Sequence, residues 1–572
     1  MEFKKLADYF QKLEKTSSRL EITRLLSSLF KEAKADEIAK VCYLSLGRLT
    51  PLYESVEFNL AERMMFKVIG KVAEKDGEKI KEEFKEKGDL GEVVFENHKG
   101  VKDKNLSVEE VYQRLFEVAK EEGAGSVKRK VNKMAELLVN LDNLSAKYVV
   151  RVPLGKLRLG FSDATLLDAL SWMMTGDKSK REEIESAYNV QADVGKIAEI
   201  VKTSGLKNLG KVRIALGTPI MPALPQRLPT AEEMLEKVGV GFKGKVAVEP
   251  KYDGTRLQIH FSDKLVRIFT RNLENVTEMF PDLKEVVLKE VKAKIAILDG
   301  EAIGFDPQTG KFLPFQETIK RKRKYGIGQK AKEVPLKFFV FDIFHKDGKD
   351  LMPLPFEKRR QILEKMVSSD DKTIILSPQI VTDNPRELRE YHDEQIKKGL
   401  EGVMVKKLKA PYEPGRRGYT WVKFKSEKGK KGAGLTDTLD CVVMGYYKGR
   451  GKRAGFGIGA FLVGIRKKGQ ILSISKVGTG LTDEQWREMR VRSEKCEVRS
   501  EPKEYLVDKN LAPDVWCLPK IVVEIEADNI TKSPIHASKY ALRFPRLVRF
   551  RDDKSPDQAT TLKETEKLYK LQ

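Results

Sequence analysis

The chain has 572 residues, 40% hydrophobic and 34% charged, with 108 Lys and Arg against 85 Asp and Glu and a formal net charge of +23. That length exceeds one hydrophobic core and points to about three domains, and the basic excess favours a polyanionic partner, whose counterions are released on binding. Four cysteines (Cys42, Cys441, Cys496 and Cys517) lie far apart without C-x-x-C spacing, which argues against a structural zinc site or a disulfide framework and fits a reducing cytoplasm.

The N-terminus, Met1-Glu2-Phe3-Lys4-Lys5, leads into a mixed charged helix. No segment approaches the ~20 apolar residues that a membrane helix needs, so neither a signal peptide nor a span is expected. Residues 1–215 read as helical. Leu6, Phe10 and Leu13 recur at helical spacing, as do Leu25, Leu26, Leu29 and Phe30. Gly88-Asp89-Leu90-Gly91 reads as a turn between helices. Gly123-Ala124-Gly125-Ser126 precedes a helix that opens with Lys128, Arg129 and Lys130, with Ser126 as the expected cap. Such a glycine turn offers backbone N–H groups to a phosphate, although an ordinary connector looks the same.

Residues 216–225 form a proline-rich linker. Beyond it the pattern becomes α+β, with strands expected at 245–249, 257–261, 295–298 and 338–341 and no regular βαβ period. Residues 426–434, dominated by glycine and lysine, read as a hinge. Short strands follow at 441–444, 460–463 and 521–525, between glycine-rich turns. A β-barrel of the OB type fits them, and that fold commonly binds nucleic acid. The expected fold class is therefore multidomain: all-α over 1–215, α+β over 216–427, and an all-β OB-fold over 428–572.

Four motifs in the α+β part carry chemistry. They are Glu249-Pro250-Lys251-Tyr252-Asp253-Gly254-Thr255-Arg256, Asp299-Gly300-Glu301, Glu401-Gly402-Val403-Met404-Val405-Lys406 and Trp421-Val422-Lys423-Phe424-Lys425. A lysine at a strand end, followed by carboxylates and further lysines, suggests covalent nucleotidyl transfer, in which a neutral amine attacks phosphorus. Free lysine is mostly protonated at neutral pH, and nearby cations would disfavour its ammonium form; Lys423, Lys425 and a metal ion are the expected neighbours. Lys423 and Lys425 alternate onto one strand face and can neutralise charge growing on an α-phosphate. Residues 239–246 nearly match a P-loop but end in Val246 where Ser or Thr is needed.

This ordered set resembles the nucleotidyltransferase superfamily, and most closely the ATP-dependent DNA ligases of the archaeal and eukaryotic replicative type. The resemblance extends to Leu154-Gly155-Lys156-Leu157-Arg158-Leu159-Gly160 in the helical part and to Leu542-Arg543-Phe544-Pro545-Arg546 through Lys554 near the C-terminus. It implies Lys251 as the nucleophile that takes AMP from ATP. It implies that Glu249 reads the adenine, that Arg256 and Arg271 contact phosphate and ribose, and that Glu301 accepts from the ribose hydroxyls. Phe341 would stack on the base, Arg417 would contact the nucleotide, and Lys423 and Lys425 would reach the α-phosphate. Glu401 would coordinate Mg²⁺, with Glu301 as a second metal ligand. Arg543, Arg551 and Lys554 would orient the pyrophosphate leaving group and meet DNA.

The implied partner is nicked duplex DNA, acted on by a monomer. Several archaeal relatives carry a glutamine-plus-double-phenylalanine motif for a sliding clamp. The matching stretch here, residues 98–105, has no aromatic pair, so a sliding clamp, as a partner, would need another surface. An RNA ligase or GTP-using capping enzyme is the nearest alternative, and the helical N-terminal part argues against it. A non-catalytic DNA-binding scaffold would be expected to have lost at least one of Lys251, Glu301, Glu401 and Lys423. An NAD-dependent ligase would be expected to carry a cysteine-based zinc element.

Overall fold

The computed structural model describes residues 1–98, 104–239, 244–323, 326–368, 372–415, 418–425, 437–449 and 451–571. Arg417, the hinge expected at 426–434, residues 240–243 of the P-loop-like stretch and residues 99–103 of the clamp-motif comparison lie outside them. The chain divides into two compact units, Met1–Phe424 and Lys425–Gln572. No described helix is long and apolar enough to cross a membrane.

In the first unit, α-helices run from Phe3–Glu14 to Val194–Ser204. Their apolar stripes, including Leu6, Phe10, Leu13, Leu26, Leu29 and Phe30, meet in one core. Local signals set the boundaries. Gly88 takes the left-handed conformation that closes one helix, and Asp89 caps the next through the Gly91 N–H. Ser107 and Glu110 form a reciprocal capping box. The helix Ser126–Val139 differs from expectation. Gly125, at φ +75°, is its N-cap, and Ser126 is the first helical residue, with no side-chain cap. Of the three cations there, Lys128 is exposed, Arg129 donates to the Glu122 and Ala124 carbonyls, and the Lys130 ammonium is buried against the Phe58 carbonyl at 2.6 Å.

The proline-rich linker docks onto both halves of this unit. Met221 N–H donates to Asn189 O (2.9 Å) in the helical half. Gly217 N–H donates to His260 Nδ1 (3.1 Å), and Gln258 exchanges two hydrogen bonds with Ile220. Burial holds His260 down at about 3, so it accepts there as a neutral ring.

The α+β half is built from eleven strands among the described residues: β1 (Gln226–Arg227), β2 (Val246–Pro250), β3 (Thr255–Phe261), β4 (Val266–Thr270), β5 (Ala296–Gly304), β6 (Leu336–Lys346), β7 (Lys349–Asp350), β8 (Ile374–Leu376), β9 (Ile380–Thr382), β10 (Gly402–Lys407) and β11 (Trp421–Lys425). They form two sheets. One has the order β1-β11-β10-β2-β9, and the other β4-β3-β5-β6-β7 with β8 beside β6. Val246, Val248, Val403, Val405, Val422 and Phe424 pack outward from the first sheet with helices Ala231–Val238 and Pro385–Lys397. Leu257, Ile259, Leu298, Phe338 and Val340 pack outward from the second with helices Pro281–Glu290 and Phe356–Met366. Between the sheets Ile220, Ile297, Phe344, Tyr412 and Trp421 form a smaller core. Because side chains alternate along a strand, the remaining inward positions form a polar face, and the functional candidates lie there.

The second unit is rich in β-structure. Strand Leu439–Lys448 pairs antiparallel with Ile458–Lys467 and with Val522–Glu526, and Ile458–Lys467 pairs with Gln470–Val477. Arg546–Phe550 adds to Val522–Glu526. Helix Asp483–Glu494, closed by a Thr482/Gln485 capping box, sets Trp486 and Met489 into the core. The four cysteines are buried free thiols.

Candidate active site

β2 and β3 belong to different sheets, so Lys251-Tyr252-Asp253-Gly254 is the crossing between them. Pro250 ends β2. Lys251 N–H then donates to Gly402 O at 2.9 Å, and Glu401 N–H returns a bond to Lys251 O at 3.0 Å. The nucleophile candidate is thereby stitched to the start of β10. Gly254 is needed for the close approach that follows. A Cβ there would lie 2.3 Å from Ala302 O and 3.0 Å from Glu301 Cγ.

The Lys251 ammonium forms an ion pair with the Glu401 carboxylate. Sequence reasoning expected cations beside this amine and did not anticipate the acid that the fold brings to it. Glu301 lies opposite Arg256 on β3 and opposite Phe339 on β6. Burial raises the Glu301 carboxyl to about 8; Lys251 and Arg256 pull it down, while Asp299 and Glu401 push it further up. Two carboxylates that repel each other are hard oxygen donors suited to Mg²⁺. The three-acid cluster found among the described residues lies elsewhere, at Glu14, Asp89 and Glu92. Arg151 and Lys147 already fill it, with Arg151 2.9 Å from Glu14 and Lys147 2.6 Å from Glu92.

Arg256 is held firmly. Its guanidinium forks onto Asp299 (Nε–Oδ1 3.1 Å, Nη2–Oδ2 2.6 Å) and donates to Ala223 O at 2.9 Å. Burial opposes its charge, but Asp299, with Tyr412 and Glu301, outweighs that and raises its pKa. Arg271 is exposed just beyond β4. With Arg256, Thr270, Asp299 and the linker prolines it lines a narrow cleft.

The three phenylalanines of the Phe338–Phe341 run in β6 separate by position. Phe338 is in the outer core, and Phe339 stacks on Tyr252 at 4.3 Å. Phe341 is half-exposed, edge-on to Trp421 at 5.9 Å, with the Arg256 guanidinium 5.5 Å over its ring. Trp421, Lys423 and Lys425 alternate onto one face of β11, and both lysines are half-buried.

Glu249 is almost fully buried. Its Oε2 lies 2.7 Å from Lys406 Nζ and its Oε1 3.6 Å from Arg360 Nη1. Burial raises Glu249, and Lys406 and Arg360 draw it back. Asp299, Tyr412 and Lys406 were missed by sequence reasoning as members of this site. Asp299 and Lys406 stand inside quoted motifs, and Tyr412 carries no motif signal.

The basic cluster of the second unit is interleaved with acids. Arg551 Nη1 lies 2.8 Å from Asp440 and Nη2 2.7 Å from Asp553; Lys554 Nζ lies 2.6 Å from Asp440. Arg546 pairs with Asp528 at 3.0 Å and Arg549 with Glu524 at 2.6 Å. The Arg543 guanidinium lies 5.4 Å over the ring of Phe544, which is 61% exposed. The exposed pair of Arg546 with Asp528 contributes little to stability, so a phosphate can replace that acid at small cost.

Family models match along the chain: the DNA ligase N terminus over residues 2–171, the ATP dependent DNA ligase domain over 222–425, and the ATP dependent DNA ligase C terminal region over 454–554. A probable DNA ligase of Dictyoglomus turgidum is 44% identical over all of this chain and 98% of its own length. A DNA ligase of Sulfolobus acidocaldarius is 37% identical over the same shares. The solved structure Pmar-Lig_PreS3 aligns over 96% of this chain and 99% of its own at 18% identity with a TM-score of 0.55, a likeness of fold.

Proposed function

The chain belongs to the ATP-dependent DNA ligase family, whose members seal nicks in duplex DNA, and we propose that it does so as a monomer with Lys251 as the nucleophile. The observation that carries this reading is the position of Lys251 at the crossing between the two sheets, ion-paired to Glu401.

The Lys251 amine attacks the α-phosphorus of ATP; a P–N bond forms, a P–O bond breaks and pyrophosphate leaves. The Lys251 ammonium first gives up a proton to solvent as its contact with Glu401 opens, because only the neutral amine is nucleophilic. Lys423 and Lys425 take the charge that grows on the α-phosphate. Glu301 in its ionised form accepts from the ribose hydroxyls. Arg256, fixed by Asp299, and exposed Arg271 contact phosphate and ribose. Phe341 stacks on the base, and Glu249 reads the base edge. Arg417, outside the described residues, completes the set by family pattern.

Glu301 and Glu401 would hold Mg²⁺, which when bound supplies Lewis-acid charge neutralisation. Arg543, Arg551 and Lys554 orient the pyrophosphate and later meet DNA. The AMP then passes to the 5′-phosphate at a nick, and the 3′-hydroxyl displaces it.

We take 1–215, 216–427 and 428–572 as the three domains, the last of OB type. Its strand order supports this, with the first long strand between the second and the Val522–Glu526 strand, and a helix following the third. Peptide mapping after incubation with ATP and Mg²⁺ tests the nucleophile. The AMP mass is expected on Lys251, and an adduct on another residue would refute the assignment.

A further inference from the structure

We propose that Lys406 is a positioning residue that sets nucleobase choice, by engaging one oxygen of Glu249 so that the other remains a pure acceptor for an exocyclic amine. This rests on the reading of Glu249 as the base contact.

Lys406 and Glu249 are diagonal neighbours on the inner face of adjacent strands: Met404 lies opposite Glu249, and Lys406 opposite Ala247. Their side chains are 1% and 2% exposed. The Lys406 ammonium has three kinds of partner. It reaches Glu249 Oε2 at 2.7 Å and donates to the Phe341 carbonyl at 3.0 Å. It also lies over the rings of Trp421, Phe356 and Phe341 at 4.1, 4.6 and 4.8 Å. One buried cation thus joins the base-reading carboxylate, the strand that carries the stacking ring, and β11, which carries Lys423 and Lys425.

Glu249 Oε1 is buried without a hydrogen-bond partner. Arg360 stands 3.6 Å from it and donates to Ser377 O at 2.7 Å. A buried acceptor left unsatisfied calls for an explanation, and a ligand N–H supplies one. Adenine offers an amino group at the edge where guanine offers a carbonyl oxygen. An ionised carboxylate accepts from the first and repels the second. That discrimination needs Glu249 to stay ionised and unable to donate. Its other neighbours are Asp342, itself clamped by Arg359, and Arg360. Burial favours its neutral form; Lys406 and Arg360 both counter it, and Lys406, at 2.7 Å, is the closer contact. Without that contact the carboxyl gains a proton and can donate to a guanine oxygen.

The test is the rate of covalent labelling with α-labelled ATP and GTP over a concentration series, in wild type, Lys406→Met, Lys406→Gln, Lys406→Arg and Glu249→Gln. Lys406→Met keeps the unbranched stem among the rings but removes the charge. It is expected to raise KM for ATP with little change in kcat, and to lower the ATP:GTP preference by about tenfold or more. Lys406→Gln, which keeps a donor and is the gentler change should the Met variant not fold, moves the same way by a smaller factor. Lys406→Arg retains most of the preference. Met and Gln variants that keep the wild-type ATP:GTP ratio would overturn the inference. Glu249→Gln separates the two readings. If it leaves the ratio unchanged, Glu249 does not read the base. If it shifts the ratio while the neutral Lys406 variants do not, only the role of Lys406 fails.

Discussion

Lys251 and Glu401 are joined twice, by a side-chain ion pair and by backbone hydrogen bonds that tie Lys251 to Glu401 and Gly402. The acid therefore moves with the nucleophile, and whatever binds Glu401 is presented beside the amine. Glu401→Gln keeps the backbone stitch and removes the charge. Labelling by ATP is expected to fall by about 10²-fold, the scale of losing one preorganised electrostatic contact, with a higher Mg²⁺ requirement. Unchanged Mg²⁺ dependence in titrations of the variant would contradict a metal at Glu401.

Glu301 gives a pH prediction with a definite sign. Its folded pKa, about 8, is above the ordinary 4.5. Between those values the folded state holds a proton that the unfolded chain has released, so stability falls as pH rises through that window and levels off above it. The loss is of the order of a few kcal/mol. Labelling should rise over the alkaline end of the window, as the carboxyl ionises to meet ribose and metal. Thermal melts from about pH 5 to about pH 9 would check this, and Glu301→Gln should flatten the slope.

Arg256 carries structural and functional duties that can be separated. Arg256→Ala leaves Asp299 buried without its partner and should cost about 3–5 kcal/mol. The double change Arg256→Met with Asp299→Asn should recover much of that stability but none of the lost labelling. Denaturant titration beside a labelling assay distinguishes the two effects. Recovery of labelling together with stability would reduce Arg256 to a scaffold residue.

Removal of everything after Lys425 leaves the Met1–Phe424 unit with its own cores. Labelling by ATP should drop by roughly 10²-fold, because the groups that position pyrophosphate are gone. Sealing of DNA that already carries the 5′-adenylate should persist in part. Full ATP labelling by the truncated protein would refute the role given to Arg543, Arg551 and Lys554.

Much of this architecture was legible in the sequence. Helical spacing of Leu6, Phe10 and Leu13 marked a buried stripe, and short apolar runs marked the strands around Lys251. The motif residues were recognisable because catalysis demands particular side chains at strand ends. Partnerships across strands were not legible, since register and sheet order are set by tertiary packing. Nothing in the spacing indicates that Lys251 faces Glu401, that Arg256 forks onto Asp299, or that Lys406 holds Glu249. The change of sheet between Pro250 and Thr255 was equally hidden. Ser126 was expected to cap its helix on propensity, but the left-handed Gly125 took the N-cap position. Asp440 and Glu524, which pair with the basic run near the C-terminus, are distant from it in sequence, so those pairs were hidden as well.

The most direct test is covalent labelling of the full chain with α-labelled ATP, GTP or NAD and Mg²⁺, beside Lys251→Ala, before and after addition of nicked duplex DNA. The expected result is a label from ATP alone that is absent in the variant and discharged by nicked DNA, while the variant still binds duplex. Normal labelling of Lys251→Ala, or a label that nicked DNA leaves in place, would contradict it.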